Sequence, residues 1–262
     1  MPAVAFYEMS SFPPDSPFVD HVMVSPNHEA RIGVARPDIL LLHYTGMKST
    51  QAALERLCDP GPRVSSHYLV FEDGRILQLV PEARRAYHAG ASSWEGTSDI
   101  NSRSIGIEIG NQGHDFGCPE FPDPQIAAVI GLCRDIISRT SIAARRVLAH
   151  SDVAPERKRD PGEGFPWRRL AKAGVGLWVE PEPIADGATL RPGDRGEDVA
   201  TLQQALADYG YGVPVSGSYD TATEIVVTAF QRHFRPARVD GIADASTVRT
   251  LTKLIAQKDS MA

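Results

Sequence analysis

Two histidines and an aspartate stand where a metal ion could be held. His43 closes the run DILLLHY (residues 38–44), His150 closes VLAH (147–150), and Asp160 follows ten residues later in KRDPG. A histidine at the end of a rigid strand aims its imidazole at a fixed point, while the loops beyond it can admit a substrate. Two histidines and one carboxylate make a candidate catalytic zinc set, with the fourth position open for water. Eight histidines allow many such triples, so on spacing alone three unrelated residues remain an open reading. The helix-borne H-E-x-x-H pattern is absent, because His28-Glu29 has no second histidine four residues after the first. Glu108 interrupts the apolar alternation of SIGIEIG, and Lys158 stands in the charge run ERKRD. By pattern alone the first reads as an outward-facing charge and the second as part of a solvated loop. His114, in GNQGHDFG, belongs to a loop beside the candidate site, and His21, His28 and His233 are expected at the surface. Cys58, Cys118 and Cys133 form no C-x-x-C pair, which argues against a disulfide framework and a cysteine-rich zinc finger. None has a basic or histidine neighbour pattern that would mark a nucleophile.

These side chains need strands and helices to aim them. Asp38–Tyr44 is dense enough in apolar residues for a buried strand. Ser49 is a candidate N-cap for the helical TQAALERLC. SHYLVFEDGRILQLV places Asp73-Gly74 between two apolar runs, a strong hairpin signal. Arg103–Gly110 alternates with period 2, which predicts a strand. Pro124–Arg139 carries Ile126, Val129, Ile130, Cys133, Ile136 and Ile137 on one helical face, with proline at its start. Val147–His150 is a short strand candidate. Strands mixed with helices predict an α/β or α+β domain.

A Pro- and acid-rich stretch, WVEPEPIADG (178–187), marks a composition break. The division predicted is residues 1–178, with an N-terminal arm over about 1–36, a linker at 179–189, and a second domain over 190–262. The second part reads as all-helical, with helices over Asp198–Tyr209, Glu224–Phe234 and Thr247–Ile255. Val215–Thr223 and Val239–Thr247 share V-x-G-x-x-D-x-x-T. The glycine suits a tight turn and the aspartate can cap the next helix. Repeated helix-entry chemistry and descent from a duplicated half-unit are equal readings of that echo. Val199, Leu202, Leu206, Val226, Phe230, Val248 and Leu251 are the candidate core. The linker predicts a loose junction, with the first domain folding alone.

Lys+Arg 27 against Asp+Glu 33 gives a net charge of −6. This excludes a general nucleic-acid binder and electrostatic docking on anionic lipid. No apolar run approaches the ~20 residues of a membrane span. The N-terminus lacks a basic start, an apolar core and a lipoprotein cysteine, and reads as having no secretory signal. The expectation is a cytoplasmic chain as encoded, or one reaching the envelope by a signal-independent route. No protein partner is evident.

LLHYT, SSHYLVFEDGRILQLVPEARRAYHAG, SIGIEI, AHSDVAPERKRDPG and PWRRLAKAGVGLW, in that order, resemble the type-2 family of zinc-dependent N-acetylmuramoyl-L-alanine amidases over about residues 37–178. Peptidoglycan recognition proteins and phage amidase lysozymes are more distant relatives. The tail, LRPGDRGEDVATLQQAL with its two repeats, resembles the three-helix peptidoglycan-binding domain attached to wall hydrolases. The resemblance implies an α/β fold, a mixed central sheet flanked by helices, plus a small all-α domain. It implies one Zn²⁺ per chain on His43, His150 and Asp160, the last standing where phage enzymes use cysteine. Glu108 would take the water proton and pass it to the leaving amine, and Lys158 would stabilise the oxyanion. Tyr44, His67, His88, Trp94 and Asn101 would lie at the substrate groove, with a bonded structural histidine as the other reading of His67. The substrate would be peptidoglycan or a muropeptide, cut between N-acetylmuramic acid, or its anhydro form, and L-alanine. The competing functions are a recognition module that binds without cutting and a zinc peptidase that cuts the stem peptide.

Overall fold

The structure, a computed structural model, describes residues 12–185 and 187–261. Residues 1–11, the start of the expected arm and most of the segment used for the export reading, lie outside the described residues. So does Asp186 in the linker.

In chain order the first part contains β1 (His21–Val22), β2 (His28–Ala30), β3 (Ile39–Tyr44), α1 (Thr50–Cys58), β4 (Tyr68–Val70), β5 (Ile76–Gln78) and β6 (Arg84–Ala86). It continues through α2 (Ile100–Arg103), β7 (Ser104–Ile109), α3 (Asp123–Thr140), β8 (Val147–Ala149), α4 (His150–Val153) and α5 (Trp167–Lys172). The tail comprises β9 (Thr189–Leu190), α6 (Glu197–Tyr209), α7 (Thr221–Phe234), β10 (Ala243–Asp244) and α8 (Ala245–Ser260).

Six strands form one mixed sheet in the order β1-β5-β4-β7-β3-β8. β3 lies parallel to both β7 and β8, whereas β4 and β5 form the antiparallel hairpin expected at Asp73-Gly74. The central strands are buried on both faces, and their alternation sorts residues between two layers. Leu40, Leu42, Ile105 and Ile107 pack against Ile126, Val129, Leu132 and Ile136 of α3. Each such buried side chain contributes about 1.5–3 kcal/mol. Ile39, Leu41 and Leu148 face the other way and join a cluster that continues into the tail. α1 starts where Ser49 Oγ accepts from the Ala52 N–H at 3.2 Å and covers Leu69, Leu77 and Leu79 with Leu54 and Leu57. Among the described residues no helix is long and apolar enough to cross a membrane.

The echo in the tail has a structural counterpart. Asp220 and Asp244 each cap the next helix, accepting from the N–H of Thr223 and Thr247. Buried Gln203 accepts from the N–H groups of Ser216 and Gly217 and donates to Ser218 O and Thr223 Oγ1. Buried Gln231 repeats the set with Asp240, Gly241, Ile242 and Thr247. Two loops thus share one bonding plan, which favours the duplicated-unit reading.

Three tail expectations fail. Val248 is 37% exposed, on an open cleft that it lines together with Leu190 of β9 and Ala205 of α6. The junction is not loose. Trp94 packs edge-on against Tyr209 and Tyr211, with ring centroids 5.8 and 5.0 Å apart. Gly210, at φ 142°, brings backbone so close that a Cβ there would stand 2.5 Å from the Trp94 ring. His233, expected at the surface, is buried and stacks on Trp167 at 3.8 Å. Apolar residues of both parts form one continuous cluster, so the Pro-rich linker connects two packed bodies.

Candidate metal centre

Parallel pairing of β3 and β7 puts His43 opposite Glu108. Alternation along β7 places Ser104, Gly106 and Glu108 on the His43 face, away from the α3 layer. That face opens into a groove here, which is why a charge can interrupt an apolar strand. Gly106 makes room for an imidazole, since a Cβ on it would stand 2.6 Å from the His88 ring. Parallel pairing of β3 with β8 brings up His150, the first residue of α4. The Ser151 N–H donates to Asp160 O at 3.0 Å, tying the chain around the third residue to the second.

His43 Nδ1, His150 Nδ1 and Asp160 Oδ2 converge, with separations of 2.8, 3.1 and 2.9 Å. All three residues are buried, and they form the His/Cys/Asp/Glu cluster found among the described residues that could hold a metal ion. Ring protons follow from the outer bonds. His150 Nε2 donates to Ala89 O at 3.1 Å, leaving Nδ1 as a lone pair. His88 Nε2 lies 3.4 Å from Ser104 Oγ, which itself donates to Ile100 O. His88 Nδ1 therefore accepts from His43 Nε2 at 3.0 Å, and His43 Nδ1 is also a lone pair. Three acceptors with no proton between them repel unless a cation sits among them. Tautomers fixed by outer partners are what metal-binding histidines require, so the donor set fits a metal.

The protonation states agree. Burial, then the neighbouring His150, lowers the pKa of His43 to about 4, so the ring is neutral near pH 7. Burial alone would raise Asp160, but its position beside His150 and His43 outweighs that and holds it below the carboxylate range. Glu108 is half-buried by area, yet its Oε2 is shut off from solvent without a hydrogen-bond partner. Burial, then the Asp160 charge, pushes its pKa up to about 8, against the opposing pull of Lys158. Lys158 is half-buried.

Tyr44, His88, Glu108, His150, Lys158 and Asp160 all line one groove of about 450 Å³, the size of a small-molecule cleft. The Tyr44 hydroxyl bonds His114 Nδ1 at 2.9 Å, which puts His114 beside the site as expected. Three other expected groove residues lie elsewhere. His67 is fully buried; its Nδ1 accepts from the Gly106 N–H and its Nε2 donates to Arg84 O, so both nitrogens serve the backbone. Asn101 Oδ1 accepts from the N–H groups of His88 and Ala89, holding the loop rather than facing it. Trp94 is spent on the tail interface. They stand in or between the motifs of the site, but their side chains satisfy internal needs.

Sequence reasoning missed Asp152, Arg157, Tyr211 and His233. Arg157 donates to Ala89 O and Ala91 O, the strap over His150. Asp152 accepts from the Ala149 N–H at 2.8 Å, from Tyr211 Oη at 2.7 Å and from His233 Nδ1 at 2.7 Å. The only sequence signal was an aspartate just after a strand; its tail partners are 59 and 81 residues away.

A family profile described as N-acetylmuramoyl-L-alanine amidase matches residues 33–163, and one described as a putative peptidoglycan binding domain matches residues 195–251. N-acetylmuramoyl-L-alanine amidase AmiD of Escherichia coli K12 is 39% identical over 231 residues, covering 84% of this chain and 82% of AmiD. The solved complex of E. coli AmiD with anhydro-N-acetylmuramic acid-L-Ala-D-gamma-Glu-L-Lys matches with a TM-score of 0.72 at 38% identity, covering 88% of this chain and 92% of that one. The crystal structure of AmpDh3 from Pseudomonas aeruginosa matches at 27% identity with a TM-score of 0.72, covering 99% and 100%.

Proposed function

The chain belongs to the N-acetylmuramoyl-L-alanine amidase family, and from that premise we propose that its metal is one zinc ion, held by His43, His150 and Asp160. The enzyme hydrolyses the amide between N-acetylmuramic acid, or its anhydro form, and L-alanine. The observation that carries the zinc reading is the convergence of two imidazole Nδ1 atoms and one carboxylate oxygen, all buried, within 2.8–3.1 Å of one another. Two imidazoles and a carboxylate suit zinc, and three protein ligands leave a position open. A zinc ion held there would supply Lewis acidity toward a water and toward the scissile carbonyl.

Glu108, on the groove wall, takes the water proton and then gives it to the departing L-alanine nitrogen. Burial raises its proton affinity enough for the second task. Ionisation for the first is favoured by Lys158 and would be favoured further by a bound dication. Lys158, on the groove wall, meets the negative charge that develops on the carbonyl oxygen. His88 backs His43, so its expected place as a contact for substrate gives way to a role on both sides: one edge on the groove, one nitrogen on the ligand. Tyr44 remains a groove contact.

The division into residues 1–178, 179–189 and 190–262 assigns cutting to the first part and retention on peptidoglycan to the tail. Mass spectrometry of a digest tests the bond assignment. A new carboxylate on the lactyl group and a free amine on L-alanine are expected. Cleavage between two amino acids of the stem would mean a peptidase instead, and an unchanged substrate a recognition module.

A further inference from the structure

The tail reaches the metal centre through a single buried carboxylate. Asp152 lies two residues beyond His150 and is 1% exposed. Oδ2 accepts from the Ala149 N–H, the peptide immediately before His150, and from His233 Nδ1. Oδ1 accepts from Tyr211 Oη. A carboxylate that accepts a backbone N–H and two side-chain donors is satisfied as an anion, and two of those three donors come from the tail. Tyr211 and His233 are 3% and 1% exposed, so no water substitutes for them at the surface. The strap on the other side of His150 is also anchored to the tail. The Ala89 carbonyl receives His150 Nε2, the Ser93 N–H donates to Val153 O, and the Glu95 N–H donates to Gly210 O.

We infer that the helical tail completes the metal centre, with Tyr211 and His233 acting as positioning residues for His150 through Asp152. The inference rests on His150 being a zinc ligand. The physical reason is that α4 is four residues long and cannot hold an imbedded ligand by its own hydrogen bonds. Its first peptide is fixed by Asp152 Oδ2, and that oxygen keeps its orientation only while the tail donors occupy the rest of the carboxylate. When a donor is lost, the buried anion turns to recover it, and the Ala149–His150 peptide moves with it. Outer-shell partners of metal ligands typically change metal affinity 10–100-fold when removed. A tail held only to bind wall would show no such dependence.

The test uses the full chain. Tyr211→Phe keeps the ring and deletes one hydroxyl. Tyr209→Phe is its control, since Tyr209 packs at the same interface but does not bond Asp152. His233→Ala deletes the second donor, and His233→Asn restores an N–H near the Nδ1 position. Zinc affinity is read by competition with a chromophoric chelator, and thermal midpoints of the metal-free proteins are read alongside. Wild type and Tyr209→Phe should bind one zinc equally well. Tyr211→Phe and His233→Ala should bind about tenfold or more weakly, and His233→Asn should recover part of the loss. Lowered midpoints with zinc affinity within twofold of wild type would overturn the inference and leave the tail as packing alone. Failure of the wild type itself to bind zinc would overturn the metal reading instead.

Discussion

Replacing Glu108 by glutamine should disable the enzyme and stabilise the metal-free protein. In that state burial raises the Glu108 pKa from the ordinary 4.5 to about 8. The folded chain then holds this proton more tightly than the unfolded chain does. Stability from the proton is fully present below about pH 4.5 and is lost as the pH rises through about 8. The distance from 4.5 to about 8 sets a ceiling near 5 kcal/mol at 1.36 kcal/mol per pKa unit. Part of the side chain opens on the groove, where water relieves the charge, so about 1–3 kcal/mol is expected. Glutamine has nearly the same shape and no charge to bury. The difference between Glu108→Gln and wild type should therefore grow from near zero below about pH 4 to its full value by pH 8–9. Each kcal/mol should move the thermal midpoint by about 2–4 °C. Added zinc should shrink the difference, because a dication favours the carboxylate. Turnover should fall by on the order of 10²–10⁴-fold, the cost of losing a general base, with zinc still bound. The assay is calorimetry at several pH values on paired metal-free proteins, with elemental analysis and turnover on a muropeptide. Parallel stability curves from pH 5 to 9, or near-wild-type turnover, would refute the reasoning.

Lys158→Ala should cost on the order of 10²–10³-fold in turnover with zinc content unchanged, as for loss of one oxyanion donor; a variant that lost its metal would show Lys158 to be structural. His43→Ala and His150→Ala should lose both zinc and activity, measured by elemental analysis beside turnover, and retention of a full equivalent of metal would disqualify either as a ligand. A chain ending near Pro183 would strip Trp94 and Asp152 of their tail partners. Leaving a buried charge with lost partners costs about 3–5 kcal/mol, so its unfolding midpoint should drop clearly in denaturant titration; an unchanged midpoint would show the interface to be energetically idle.

The parts of the fold legible in the sequence are those set by neighbours along the chain. The period-2 run of β7, the Asp73-Gly74 hairpin, the Ser49 cap and the apolar face of α3 all depend on residues a few positions apart. The repeated V-x-G-x-x-D-x-x-T told where two tail helices begin for the same reason. The proposed ligand triple was visible only as two histidines at strand ends and an aspartate ten residues beyond the second, with motif order supplying what spacing could not. Contacts between distant segments left no such trace. His233 reads as a polar residue near a helix end, and nothing local says that Trp167 and Asp152 cover it. The composition of the linker describes the linker alone and is silent about the aromatic packing of Trp94 on Tyr209 and Tyr211. His67 and Asn101 illustrate the reverse problem: one falls inside a motif of the site and the other just before one, yet their polar atoms satisfy the backbone around it.

The central claim is that three proton-free acceptors hold one zinc ion on which amide cleavage depends. Zinc should be removed with a chelator and returned in measured steps, with bound metal and hydrolysis of the muramoyl–L-alanine amide followed in the same samples. Turnover should vanish in the metal-free protein, rise in proportion to bound zinc and level off at one ion per chain. Full turnover by protein shown to contain no zinc would contradict the account.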